Sequence, residues 1–91
     1  MGNQGWKDEA WRKAKAKMDR MSGPYKAKAL VEAIKNQGLT VAEAIGRVVD
    51  DRVGNDATED QVRDLAASLA WMFDVKPERF VMLWREVRDR R

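Results

Sequence analysis

The fold is decided mainly by residues 58–84, which read TEDQVRDLAASLAWMFDVKPERFVMLW. Thr58 and Gln61 open this stretch with the spacing of a capping box, in which each side chain satisfies a backbone N–H that the first helical turn leaves unpaired. Apolar residues then follow at helical spacing, and they are Val62, Leu65, Ala66, Leu69, Met72 and Phe73. Pro77 suits the first position of the next helix, whose apolar face is Phe80, Leu83, Trp84 and Val87. The stretch therefore predicts two consecutive helices separated by a short turn.

Three further helices are predicted before this stretch. The first covers residues 6–21 and ends at Ser22-Gly23-Pro24, and the second covers residues 24–37 and ends before Gly38. Thr40 and Glu43 have capping-box spacing, so a third helix follows them to about Val53. We therefore predict an all-α protein, a compact bundle of about five short helices. We expect a single helical domain over residues 1–91, with a basic amphipathic N-terminal helix at 6–21 and a helical core at 24–90.

The composition favours a binding protein over an enzyme. Of the 91 residues, 44% are hydrophobic and 36% are charged, which suits a chain that folds around a small core. Cysteine and histidine are both absent, so the chain lacks thiol nucleophiles, imidazole bases and the two commonest zinc ligands. The carboxylates between Asp50 and Asp64 do not follow the order of a calcium-binding loop. We therefore expect no catalytic site, no metal site and no cofactor.

The hydropathy pattern gives no indication of a membrane span. The apolar run at residues 69–73 is far shorter than the roughly 18 apolar residues that a spanning helix needs, and no longer run occurs in the helical stretch. The first six residues also lack the apolar core of a signal peptide. We therefore expect a cytoplasmic protein.

Charge is distributed unevenly along the chain. Residues 1–28 carry eight Lys/Arg against three Asp/Glu, residues 29–75 carry four against nine, and residues 76–91 carry six against three. One interpretation is that the acidic middle pairs with the basic ends, within the fold or with the ends of a neighbouring subunit. The other is that the basic ends form a patch that attracts phosphate or an acidic protein.

The predicted N-terminal helix is basic and amphipathic. Six Lys/Arg between residues 7 and 20 surround a narrow apolar stripe, which consists of Trp11, Ala14, Met18 and Met21. Such a helix suits a nucleic-acid backbone, an anionic membrane surface or a groove in another protein. The alternative is that its apolar stripe packs on the core of this same domain.

The four tryptophans supply the candidates for a protein interface. Tryptophan is enriched at binding hot spots because it buries a large area while losing little rotamer freedom. Trp71 lies beside the apolar stripe of its helix, whereas Trp84 lies on the stripe of the last helix and is expected in the core. The predicted protein-binding residues are Trp11, Met18 and Trp71.

Residues 69–83, within a wider unit at 62–90, resemble a helix-turn-helix motif. Ala70, Val75, Phe80 and Leu83 match the small and apolar positions of such a unit, while Asp74 stands where glycine is usual. The resemblance implies that the helix from Pro77 faces the major groove of DNA. The nucleic-acid-binding candidates are then Lys76, Arg79, Arg85 and Arg88, together with Lys13 and Lys17 of the N-terminal helix.

These patterns lead to two functional hypotheses. The first is a non-catalytic helical module, a small regulator or inhibitor that acts by occupying the surface of a protein partner, which includes a second copy in a homodimer. The alternative is a DNA-binding transcriptional regulator that uses the helix-turn-helix-like unit at residues 62–90. Binding to DNA predicts a steep dependence on salt, whereas a tryptophan-anchored protein contact predicts a weak one.

Overall fold

Five α-helices account for most of the chain, as the sequence predicts. The computed structural model describes residues 3–90, and it describes side chains from residue 5 to residue 90. The helices are α1 (Asn3–Asp19), α2 (Lys26–Asn36), α3 (Val41–Arg52), α4 (Glu59–Leu69) and α5 (Pro77–Asp89). Two 3-10 turns complete the helical structure, one over Gly23–Tyr25 before α2 and one over Ala70–Phe73 after α4. The described part of the chain contains no β-strand, so the all-α prediction is confirmed.

Both predicted capping boxes are present. The Thr40 hydroxyl accepts a hydrogen bond from the Glu43 backbone N–H at 3.1 Å, and the Glu43 carboxylate accepts one from the Thr40 backbone N–H at 3.0 Å. Thr58 and Gln61 make the same reciprocal pair at the start of α4. Because these bonds satisfy N–H groups with no partner inside the helix, they fix the first residues of α3 and α4.

The end of α4 differs from the prediction of a regular helix that continues to Phe73. The α-helix ends at Leu69, and the 3-10 turn over Ala70–Phe73 leads to Asp74, whose φ of 57° lies in the left-handed region. A 3-10 turn has three residues per turn and so rotates its side chains relative to the preceding α-helix. Met72 and Phe73 are nevertheless buried and Trp71 is exposed, as the helical periodicity of the sequence predicts.

The core is centred on Phe73, which links the first helix to the last. Its ring stacks on that of Trp11 with the centroids 5.9 Å apart, and its centroid is also 5.9 Å from that of Phe80. The described part of the molecule measures 33 × 31 × 17 Å, and the shortest dimension accommodates two helix layers packed about 8–10 Å apart. The core is therefore thin, and a single aromatic ring reaches across it.

Helix α1 is docked on the rest of the bundle. It packs mainly against α2 and also against α3, and Ala10, Ala14 and Met18 are buried in that contact. Two ion pairs connect it to α3, one between Asp8 and Arg47 and one between Lys7 Nζ and a Glu43 carboxylate oxygen at 2.7 Å. Of the alternatives for the apolar stripe of α1, packing on this domain's own core is the one observed for Trp11 and Met18.

A close approach between α3 and α5 depends on glycine. A methyl group on Gly46 would lie 3.0 Å from Val87 Cγ1, which is shorter than a normal contact between carbon atoms. Gly46 therefore allows α5 to lie against α3 while α5 also packs on α4. None of the helices described is long and apolar enough to cross a bilayer.

Candidate functional site

A surface groove lies between α4 and α5. Its volume is about 360 Å³, and its walls come from Arg63 and Ala66 of α4 and from Pro77, Glu78, Val81, Met82 and Arg85 of α5. Ala66 has a short side chain and Pro77 begins α5, so neither residue fills the space between the two helices. The lining is apolar along its length and charged at its ends, as in grooves that bind amphipathic helices.

One carboxylate holds two arginines at the edge of this groove. Glu59, the first residue of α4, accepts a hydrogen bond from Arg85 Nε at 2.6 Å and another from Arg63 Nη2 at 2.9 Å. The hydrogen bond from Arg85 lowers the pKa of Glu59 below its usual value, and the same bond raises the pKa of Arg85. Two positive charges thus share one negative charge, and the N-terminus of α4 is connected to α5.

Two large apolar side chains are exposed on the unit that contains the groove. Trp71, in the 3-10 turn after α4, is 54% exposed, and Met82, in the groove wall, is 49% exposed. Isolated exposed apolar residues are ordinary, but a tryptophan exposes a large area and a methionine adapts its shape to different partners. The groove with Met82 is the candidate protein-binding site, and Trp71 is a second candidate contact on the same unit.

The structure separates the three residues predicted to bind a protein. Trp71 is on the surface, whereas Trp11 and Met18 are each only 5% exposed. The reason is that the apolar stripe of α1 faces α2 and the Phe73 ring rather than solvent. Trp11 and Met18 are therefore core residues here, and a partner could contact them only after α1 detached. Trp84 is buried, as its position on the stripe of α5 predicts.

The predicted nucleic-acid-binding residues fall into two groups on different helices. Lys13 and Lys17 belong to α1, which packs on α2 and α3, whereas the other four lie at the start of α5 or along it. Lys76 and Arg79 are exposed and make no ion pair within the described chain, as binding to phosphate requires. The groups therefore do not form one continuous patch along a single helix.

The two remaining arginines of α5 already have partners. Arg85, a candidate for reading a base edge, donates its Nε–H to Glu59. The guanidinium carbon of Arg88 lies 4.9 Å from the centroid of the Trp84 ring, and its Nε is 3.3 Å from an Asp89 carboxylate oxygen. A DNA contact by Arg85 would therefore compete with an existing hydrogen bond.

The turn between α4 and α5 shares two features with a helix-turn-helix unit. Asp74 adopts the left-handed conformation that glycine usually supplies, and Asp is among the few other residues that tolerate it. Ala70 and Phe80 are buried on either side of the turn, and Val75 and Leu83 pack against the core. Many helical bundles contain such a turn without binding DNA, so these features do not by themselves indicate a DNA contact.

The sequence alone does not indicate a role for Glu59 or the presence of the groove. The pair of Glu59 with Arg63 has i,i+4 spacing and could have been read from the sequence, but Arg85 is 26 residues from Glu59. No local pattern indicates that pair, because it depends on how α5 packs against α4.

Within residues 5–90, no three acidic side chains come close enough together to hold a metal ion.

Comparisons of the chain with protein-family models, with curated proteins and with solved structures give no match. The groove, the exposed apolar residues and the distribution of charge are therefore the features that bear on function.

Proposed function

We propose that this protein is a non-catalytic binding module that recognises another protein through the α4–α5 groove, with Trp71 and Met82 as the apolar contacts. The proposal includes a regulatory or inhibitory role, in which the module acts by occupying a functional surface of its partner. Exposed aromatic and methionine side chains beside a helical groove are typical of surfaces that accept an amphipathic helix. The observation that carries the proposal is the exposure of Trp71 and Met82 on the same helix-turn-helix-like unit that forms the groove.

The charges around the groove favour a protein partner over DNA. Glu78 lines the groove and Glu86 is exposed on the same helix, and both would repel phosphate. Arg85, the cation placed to reach into the groove, is paired with Glu59. An amphipathic helix can place apolar side chains on Met82 and Val81, with a cation near Glu78 and a carboxylate near Arg63.

A differential capture experiment tests the proposal. The tagged protein and its Met82→Glu variant are incubated with a nuclease-treated lysate of the organism that makes the protein, and captured proteins are quantified by mass spectrometry. Met21→Glu is the matched control, because Met21 is also an exposed methionine but lies outside the groove. We expect a partner that the wild type and Met21→Glu retain and that Met82→Glu loses.

A second pair of variants tests the tryptophan contact. Trp71→Ala removes the largest exposed apolar side chain of the unit, and Tyr25→Ala removes an exposed aromatic ring elsewhere. Hot-spot residues typically change affinity by about 2 kcal/mol or more, which corresponds to roughly 30-fold. Equal capture of the same proteins by all variants would refute the proposed surface.

The proposal extends to a homodimer and to a cytoplasmic location. A second copy is one protein that the groove could accept, and sedimentation velocity of the wild type beside Met82→Glu distinguishes this partner from a different protein. The absence of cysteine supports the cytoplasmic location, because small extracellular domains commonly depend on disulfides.

DNA binding by α5 is the second candidate function. The left-handed Asp74 favours it, and so do Lys76 and Arg79, which make no ion pair with any residue between 5 and 90. Lys76→Glu combined with Arg79→Glu would then abolish binding to mixed-sequence duplex DNA, measured by fluorescence anisotropy at about 50 mM salt. Unchanged duplex binding by this variant would exclude α5 as the contact.

A further inference from the structure

The segment that forms α1 and α2 is rich in cations. Residues 12–35 contain eight Lys/Arg and two Asp/Glu, whereas residues 41–69, which form α3, α4 and their connection, contain three and seven. Helix α1 packs mainly on α2, and Lys17 of α1 and Lys28 of α2 line one groove, so we call the face around this groove the α1–α2 surface. Its charge has the opposite sign to that of the α3–α4 segment.

Most of these cations have no acidic partner among the described residues. Lys13 and Lys15 make exposed i,i+4 pairs with Glu9 and Asp19. The other six make no ion pair with any residue between 5 and 90, and they are Arg12, Lys17, Arg20, Lys26, Lys28 and Lys35. Pairing within the fold, seen for Lys7 with Glu43 and for Arg85 with Glu59, therefore leaves the α1–α2 surface basic.

An exposed aromatic ring lies in a groove among these lysines. The groove has a volume of about 280 Å³ and is lined by Lys17, Met21, Tyr25, Lys28, Ala29 and Glu32. Tyr25 is 64% exposed, the highest value among the exposed large apolar and aromatic side chains described. A second depression shares Lys28 and Glu32 and adds Lys35 and the acidic Asp74, so lysines continue along α2 with one further carboxylate beside them.

We propose that the α1–α2 surface binds single-stranded nucleic acid, with its lysines and arginines on the phosphates and Tyr25 stacked on a base. Cations arranged along a groove with an exposed ring are the two features by which proteins bind single strands without reading their sequence. The ring selects a single strand over a duplex, because the base faces of a duplex are already stacked. Glu32 is the one acid in the first groove, and it opposes this binding.

This inference does not depend on the proposed protein-binding groove. The two surfaces share no lining residue, and they lie on different helices. Its test uses oligonucleotides alone, so a negative result there leaves the capture experiment unaffected, and the reverse also holds.

The direct test is fluorescence anisotropy with a labelled oligothymidine of about 20 nucleotides and a duplex of the same length, between about 50 and 200 mM salt. We expect the single strand to bind more tightly than the duplex. If four to six phosphates are neutralised, the logarithm of the binding constant falls against the logarithm of salt with a slope of about −3 to −4. Absence of binding at about 50 mM salt, or tighter binding to the duplex, would overturn the proposal.

Charge variants locate the site. Lys17→Glu combined with Lys28→Glu should weaken binding at least tenfold, whereas Arg52→Glu combined with Arg90→Glu makes the same change of charge on exposed arginines outside the α1–α2 surface and should have a much smaller effect. Equal losses in the two double variants would show that only net charge matters and would overturn the assignment of the site.

Two single variants separate the proposed contact from a folding defect. Glu32→Gln should tighten binding, a gain that misfolding does not produce, and unchanged or weaker binding would count against the groove. Tyr25→Ala should lower affinity for the single strand by about tenfold and leave duplex binding unchanged.

Vesicles containing phosphatidylglycerol provide the last comparison, and binding to them without binding to oligothymidine would show that the surface serves a membrane instead.

Discussion

The left-handed conformation of Asp74 predicts an inverted preference between glycine and alanine at this position. An L-residue in this region is strained by about 1–2 kcal/mol, whereas glycine adopts it without a steric penalty. Asp74 is exposed, and its side chain makes no hydrogen bond or ion pair within the described residues, so little else is lost on substitution. Allowing for the larger entropy of glycine in the unfolded chain, we expect Asp74→Gly to be about 1 kcal/mol more stable than Asp74→Ala.

Ser68 provides the matched control, since it is exposed within α4 six residues earlier. In a helix interior alanine is favoured over glycine by about 1 kcal/mol, so Ser68→Ala should be more stable than Ser68→Gly by that amount. The two positions therefore predict opposite rankings of the same two residues.

Urea denaturation followed by circular dichroism at 222 nm measures both differences. For a slope of about 1–2 kcal/mol per molar urea, each difference shifts the midpoint by about 0.5–1 M, and thermal unfolding should show about 4–8 °C. If Ala exceeds Gly at position 74 as well as at position 68, then the turn is not left-handed and α4 continues through it. That result would also remove the structural basis of the helix-turn-helix resemblance.

Three further predictions concern stability. Gly46→Ala should lower the free energy of unfolding by about 1 kcal/mol or more in the wild type relative to its effect in a Val87→Ala background, because the added methyl group meets Val87 Cγ1 at 3.0 Å. Urea titrations of the single and double variants measure this difference, and additive effects would contradict the contact. The pKa of Glu59 is lowered in the fold, so its contribution to stability is complete above the ordinary glutamate pKa of about 4.3 and is lost as pH falls through the lower folded value. Glu59→Gln should therefore flatten the dependence of the urea midpoint on pH below about 5. An unchanged slope would count against the bond with Arg85. Thr40→Ala should lower the free energy of unfolding by about 1 kcal/mol while Thr40→Ser retains most of it, and equal losses would exclude the hydroxyl as the cap.

The pKa of Glu43 provides a comparison for the acidic range. Partial burial raises its pKa, but hydrogen bonds from Lys7 and from Thr40 outweigh burial and hold the value below the ordinary one. Its contribution to stability is therefore also present above the ordinary glutamate pKa and lost in acid. Glu43 thus contributes to the cap of α3 and to the attachment of α1 in the same pH range.

The sequence by itself determined the features that depend on neighbours within about four residues. The capping boxes at Thr40 and Thr58 lie within single helical turns, so their residue types suffice to place the starts of α3 and α4. Helical periodicity likewise assigned Trp84 to the core and Trp71 to a position beside the apolar stripe, because the spacing of side chains around a helix is fixed.

Only the tertiary structure decided the features that connect distant parts of the chain. The same periodicity left Trp11 and Met18 with either a partner or this domain's own core, because an apolar stripe does not specify what covers it. Their burial follows from the packing of α1 on α2 and from the stacking of Trp11 on Phe73, which is 62 positions away in the sequence. The packing of the helices also creates the α4–α5 groove. It likewise selects which charges meet and which remain in solvent, and so decides both the sharing of Glu59 by two arginines and the charge left on the α1–α2 surface.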